Sequence, residues 1–343
     1  MLGRFKLCSL FLGVALSIRC CVGSFGDRQS QYQTCRKRCI LGCRRDGSPV
    51  MEVDIARSLE LEQYGSKQPE WAARLLNWDC KSDCGYLCMW DMELTRRSAV
   101  RNRPHTSLKY HGKWPFLRVW GMQEVCSVVF SLGNCSGHLY NLLRPQWPMQ
   151  HPLRPWLIAY SAVAVVMWLS SAAFHSRDTP WTEKADYFSA QLAIIFTVII
   201  MVQRLLTPSN SLLRRVVMHA VSLSLGCFWC WHCAVMMKRF DYGQNMKVAL
   251  TLAAVHGLLL LIHLRRRTGM PHVGMMKVTW VCFHAAIALE VLDFEPLWDL
   301  VDAHSLWHAC TMPLVWMWYS FMIKDLHADA EMEMKRNPSK KDL

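Results

Sequence analysis

An all-α membrane protein is the fold this sequence predicts: a seven-transmembrane helix bundle preceded by a small disulfide-rich luminal segment. Three observations predict it. Apolar runs of helix length recur seven times after residue 119, each close to the roughly 20 residues that cross a bilayer. A short apolar stretch behind Arg4 and Lys6 has the form of a secretory signal. Between the two lie six cysteines in matched triplets. Over the whole chain 52% of residues are hydrophobic and 19% charged, which excludes a disordered polymer.

Residues 1–23 are the expected signal peptide. Leu7 to Ile18 is apolar, too short to span a bilayer, and Cys21-Val22-Gly23 offers small residues for cleavage before Ser24. The short run disfavours the alternative of a signal anchor. Residues 24–118 then begin in an oxidising lumen. Cys35, Cys39, Cys43 and Cys80, Cys84, Cys88 both follow C-x3-C-x3-C. On a helix, positions i, i+4 and i+8 share a face. Two such helices laid side by side can be joined by up to three disulfides. Six cysteines allow 15 pairings, and spacing does not choose among them. A zinc cluster is the alternative, and the compartment argues against it. The segment ends in His111-Gly112-Lys113-Trp114-Pro115-Phe116, a basic and aromatic run that reads as an interfacial anchor.

The membrane domain is expected over 119–325, with helices at about 120–142, 153–175, 185–205, 216–237, 244–264, 275–293 and 302–323, and a cytosolic tail over 326–343. A cleaved signal leaves the N-terminus in the lumen, and seven crossings put the C-terminus in the cytosol. The loops then expected to be cytosolic, with the tail, hold fourteen Lys and Arg, and the luminal loops of the bundle hold five. That asymmetry obeys the positive-inside rule, so two arguments give one topology.

Ionisable groups within a bilayer are costly and point to function. Three clusters lie at the same expected luminal depth: Ser171 to His175, Thr182 to Tyr187, and Asp302 to His308. His304 and His308 are i, i+4, a spacing that suits two ligands of one Zn²⁺. His175 supplies a third imidazole. The chemistry that fits is metal-assisted hydrolysis, in which zinc supplies a nucleophilic water near neutral pH. Asp186 is placed to orient that water or take its proton, and Ser171 to hydrogen-bond the developing oxyanion. Asp302 is the expected carboxylate behind an imidazole. For His138, His219, His232, His256, His263 and His284, inter-helix hydrogen bonding or placement at the membrane interface is the simpler reading.

The pattern Ser171-x3-His175, Asp186, His304-x3-His308 resembles that of the CREST superfamily of seven-span hydrolases. Alkaline ceramidases and the adiponectin and progestin receptors belong to it. More narrowly, the chain is similar to the post-GPI-attachment phospholipase family, called post-GPI attachment to proteins factor three in animals. The strings that carry this are Trp78-Asp79-Cys80-x3-Cys84-x-Tyr86-x-Cys88-Met89-Trp90, His111 to Phe116, Phe174 to Asp178, Thr182 to Phe188, Arg239 to Gly243, Leu292 to Phe294, and Asp302-Ala303-His304-x3-His308.

The resemblance implies a phospholipase A2 that removes the sn-2 acyl chain from the inositol phospholipid of GPI-anchored proteins. It implies zinc on His175, His304 and His308, with Ser171 and Asp186 beside it. Glu124, Ser131 and Asn134 correspond to a further superfamily pattern whose role it leaves open. The alternatives are a seven-span lipid receptor and a ceramidase-like amidase on the same scaffold. A rhodopsin-type receptor is disfavoured, since no D-R-Y or N-P-x-x-Y string sits at the span ends.

Asn134-Cys135-Ser136 is formally a glycosylation sequon, expected to be unused inside the first span. Lys340-Lys341-Asp342-Leu343 resembles a di-lysine signal read by coat protein, which implies residence in Golgi and endoplasmic reticulum. The net charge of +13 suggests a nucleic-acid binder at first sight. Its distribution excludes one: the positive charge tracks the cytosolic loops and the luminal segment. Only the luminal face of the membrane domain, which carries the expected metal site, runs negative.

Overall fold

Cysteine spacing decides the first part of the architecture, because each triplet falls on one helix face and the two helices meet along it. The computed structural model describes residues 24–43, 68–99, 106–206 and 211–336. The signal segment 1–23 and the Lys340-Lys341 tail lie outside the described residues. In order, the helices are α1 (Ser30–Leu41), α2 (Glu70–Leu75), α3 (Cys80–Ala99), α4 (Val125–Leu143), α5 (Arg154–Ser176), α6 (Pro180–Leu206), α7 (Leu212–Lys238), α8 (Tyr242–Arg266), α9 (Pro271–Leu292) and α10 (Ala303–Arg336). The described residues form no strand, only isolated bridges.

Disulfides join Cys35 to Cys88, Cys39 to Cys84 and Cys43 to Cys80. The partner number falls as α1 is followed forward, so α1 and α3 run antiparallel. With all six sulfurs bonded, no thiolate is left for a zinc cluster. Tyr32 and Trp90 fill the small core, and the fully buried Glu93 accepts a hydrogen bond from the Tyr110 hydroxyl at 2.9 Å. A segment this small lacks a large core, and closing loops of 37 to 53 residues restricts its unfolded chain.

The run His111 to Phe116 ties this segment to the bundle, where an interfacial anchor was expected. The Lys113 ammonium bonds Glu124 at 2.6 Å and lies 3.3 Å from Asp178. Trp114 donates its indole N–H to Asp293, and Phe116 is buried. The α9–α10 loop completes the dock. Asp299 takes two bonds from the Arg97 guanidinium, at 2.6 and 3.0 Å, and Glu295 accepts the Ser107 backbone N–H. Asp293, Trp298 and Asp299 of this loop hold φ of 41°, 55° and 59°. That left-handed backbone is strained for non-glycine residues, and these contacts hold it.

The seven long helices fall close to their expected bounds. The main difference is α10, which continues to Arg336 instead of ending near 323. Among the described residues, α5, α6, α7, α8 and α9 are long and apolar enough to cross a membrane. α4 and α10 fall short because they carry polar residues on buried faces. Ser127, Ser131, Asn134, His138 and Asn141 of α4 are all buried, as are His308, Thr311 and Asp325 of α10. By contrast, α7 buries little and exposes Leu212, Val216, Leu223 and Trp231, a surface suited to lipid.

α4 packs between α5 and α10, α5 against α6, and α9 against α10. Several histidines serve this packing: His138 bonds Tyr319 of α10 at 2.9 Å, and His232 bonds Asn245 of α8 at 3.1 Å. Asn134 is fully buried and bonds the His308 carbonyl at 2.8 Å, which leaves no room for a glycan. At the end of the bundle away from the disulfide-stapled segment sits a charged clamp. Asp325, fully buried, accepts from Arg204 of α6 at 2.7 Å, His263 of α8 at 2.9 Å and His272 of α9 at 3.1 Å. Asp329, one turn on, takes the other side of Arg204 at 2.7 Å and pairs with Arg267, the residue that caps the end of α8.

Candidate metal centre

At the opposite end, two helices bring the three expected histidines together. α5 ends at Ser176 and presents His175 from its last turn; α10 begins at Ala303 and presents His304 and His308 from its first two turns. One ring nitrogen from each of the three imidazoles lies within 4.8 Å of the other two. His308 Nε2 is 2.9 Å from His304 Nε2, which is 3.3 Å from His175 Nε2.

The opposite nitrogens explain this convergence. His175 Nδ1 lies 2.6 Å from Glu124 Oε2, and His304 Nδ1 lies 2.7 Å from Glu290 Oε2. A carboxylate accepts only, so each Nδ1 carries the proton and donates. His308 Nδ1 lies 3.4 Å from the Ser131 hydroxyl, which can accept in the same way. All three Nε2 lone pairs therefore point at one small volume. Without a cation they would repel; with one they form a ligand set whose outer nitrogens are all held. Nitrogens bound tetrahedrally at about 2.0–2.1 Å sit about 3.3 Å apart, so the donor set fits zinc in type and in spread. His175 and His308 are buried, while the His304 side chain keeps 33% exposure, so the site opens beside His304.

One expectation needs correction, and two residues of the site were not foreseen. Asp302 does not touch an imidazole. It caps α10: its carboxylate accepts the Ser305 N–H at 2.8 Å, and the Ser305 hydroxyl meets the Asp302 N–H at 2.9 Å. This reciprocal pair is a capping box, and the D-x-x-S string could have disclosed it. Glu124 and Glu290 take the role expected of Asp302. Glu290 went unnoticed in the sequence because its contact depends on the turn between α9 and α10. Lys113 was also missed, and it pairs with the same carboxylate that holds His175. Burial alone would push the Lys113 ammonium down; Glu124 and Asp178 outweigh this and raise it, so it stays charged.

Ser171 is buried, and its hydroxyl lies 3.2 Å from that of Ser131. Asp186 is half-buried in α6, within electrostatic reach of His175 and His304. Among the described residues no side chain hydrogen-bonds its carboxylate. Replacing Glu290 with Gln is expected to weaken metal binding by about 10- to 100-fold, the range for losing the partner of a ligating histidine. A competition titration against a zinc chelator reads this, with the fold intact because Glu290 is 47% exposed.

Comparison with known proteins shows the family. The profile of the Per1-like family matches residues 70–326. The chain is 33% identical over 330 residues to the protein PER1 homolog of Schizosaccharomyces pombe, covering 93% of this chain and 92% of that one. It is 33% identical over 322 residues to post-GPI attachment to proteins factor 3 of Drosophila melanogaster, covering 92% and 93%. It is 31% identical over 307 residues to the GPI-specific phospholipase A2-like PGAP3 of Homo sapiens, covering 88% and 89%.

Proposed function

Because the chain belongs to the Per1-like family, we propose that it remodels GPI anchors by hydrolysing the sn-2 acyl ester of their inositol phospholipid. The observation that carries the reading is the convergence of three imidazole Nε2 atoms whose Nδ1 atoms are each held from behind. The names of its relatives support the substrate class.

Hydrolysis adds water across the ester. The acyl carbon–oxygen bond breaks, a fatty acid leaves, and the glycerol oxygen takes a proton. A zinc ion on His175, His304 and His308 would supply an activated water and polarise the carbonyl. The chain's own residues do the rest. Glu124 and Glu290 fix the tautomers of His175 and His304, and Lys113 holds Glu124 in place. Asp186 is free to hold a water or accept its proton.

Ser131 gives Ser171 a direction. If its oxygen accepts from His308 Nδ1, its own proton goes to Ser171 Oγ, and the Ser171 proton is left to donate outward. That is the donor an oxyanion needs.

The expected topology places the site in the lumen of the secretory pathway, where GPI anchors reside, with the C-terminus cytosolic. Recognition of Lys340-Lys341 by coat protein would return the protein from Golgi to endoplasmic reticulum.

The test uses purified full-length protein and a diacyl GPI lipid labelled on the sn-2 chain. Release of labelled fatty acid is expected, lost on chelation and restored by zinc. Release from sn-1, release only from an amide-linked ceramide chain, or no turnover with zinc bound would each overturn the reading. The last two outcomes would favour the amidase and the receptor.

A further inference from the structure

Between the stapled segment and the bundle lies a cavity of about 610 Å³, a size in the range of small-molecule sites. One wall comes from α1 and α3 with the loop leading into α3, and the other from the chain around Glu124 and Arg177. It adjoins the metal centre through Glu124. One oxygen of that carboxylate binds Lys113, which lines the cavity, and the other binds His175.

The lining is basic. Arg36, Lys81, Arg118 and Arg177 line it besides Lys113, which Glu124 and Asp178 already neutralise. Three of these guanidiniums are not fully satisfied. The Nε–H groups of Arg36, Arg118 and Arg177 are buried and have no hydrogen-bond partner among the described residues. Buried donors ordinarily find an acceptor, and Arg118 as a residue is only 6% exposed.

Two of these cations are also locked in place. The Trp78 ring is held between them, with Arg118 at 3.4 Å and Arg177 at 3.7 Å from its centroid. Arg118 is braced by Asp83 at 2.7 Å and Arg177 by Ser82 at 2.9 Å. Preorganised guanidiniums with free N–H groups match a phosphate, whose oxygens accept from such forks.

We infer that this cavity binds the anionic phosphoinositol-glycan headgroup of the lipid substrate, with the arginines and Lys81 on the phosphate. The inference rests on the hydrolase reading for its substrate. It explains how the disulfide-stapled segment serves the reaction. A headgroup held above Glu124 leaves its diacylglycerol to run down toward the histidines, so the headgroup sets which ester reaches them.

The test uses full-length protein in detergent and glucosaminyl-phosphoinositol without acyl chains as the probe, read by titration calorimetry. Glycerophosphocholine and inorganic phosphate are the comparison ligands. The variant is the double substitution Arg36→Gln, Lys81→Gln, which leaves Glu124, Lys113 and the histidines untouched. Saturable binding of the probe is expected, weakened at least tenfold in the variant, with little binding of the comparison ligands. In turnover, KM for the GPI lipid should rise by a similar factor while kcat holds.

Equal affinity for inorganic phosphate or glycerophosphocholine would overturn the inference, and so would a variant that binds and turns over like wild type. The two readings fail separately. Wild type that hydrolyses GPI lipid but does not bind the probe sinks the headgroup site alone. Wild type that binds the probe without releasing fatty acid upholds the site and sinks the hydrolase.

Discussion

His304→Ala is expected to abolish release of the sn-2 chain and to strip bound zinc from the purified protein. His304 is the middle donor of the three, 2.9 Å from His308 Nε2 and 3.3 Å from His175 Nε2. Its removal leaves two nitrogens on separate helices. Losing only the outer partner of a ligand costs about 10- to 100-fold in affinity, so losing the ligand should cost more. Its side chain is one-third exposed and caps no helix, so helical content and thermal stability should stay near wild type.

Ser171→Ala separates metal from oxyanion. It should keep zinc and slow turnover by about 100- to 1,000-fold, the range for removing one oxyanion donor. A His304→Ala protein that retains stoichiometric zinc, or remodels anchors normally, would end the three-histidine reading.

Asp325→Ala is expected to be the most destabilising single change in the bundle while sparing the chemistry. The carboxylate is fully buried and receives Arg204, His263 and His272 from three different helices. Truncating it leaves Arg204, itself 2% exposed, with only Asp329 as an acidic partner among the described residues. Breaking a buried ion pair by removing one partner costs about 3–5 kcal/mol, because the survivor stays buried with its charge. Thermal unfolding in detergent should show a clear fall, and the folded fraction should still bind zinc normally. An unchanged transition would mean that the clamp contributes little and that apolar packing around Tyr319 and Phe321 holds that end.

The legible parts of the sequence were those governed by period. The two cysteine triplets and His304-x3-His308 repeat every four residues, and a helix turns such a repeat into a face. His175 was legible only through topology, since nothing local distinguishes it from His138 or His263. Its expected luminal depth does. The parts that stayed hidden depend on contacts across loops. Glu290 reaches His304 because a strained turn folds α10 back beside α9. Lys113 reaches Glu124 because the chain between them bends; on hydropathy alone it is a basic residue before a span. The disulfide pairing was open for the same reason, since antiparallel packing of α1 and α3 is a tertiary fact. Asp302 shows a different failure: a carboxylate two residues from a histidine invites a chemical role, while the helix end claims it first.

The separation of 129 positions between His175 and His304 also sets a timetable. At about 5–20 residues per second, synthesis of that stretch takes from several seconds to nearly half a minute. During that interval His175 and Glu124 already exist and α10 does not. The Lys113–Glu124–His175 chain lies entirely within the earlier part, so those charges can pair while the last helix is still being made. The three histidines can then converge only once α10 has left the ribosome. A nascent or truncated chain that has not delivered α10 holds one imidazole of the three, and on the proposed mechanism it is inactive until α10 is made.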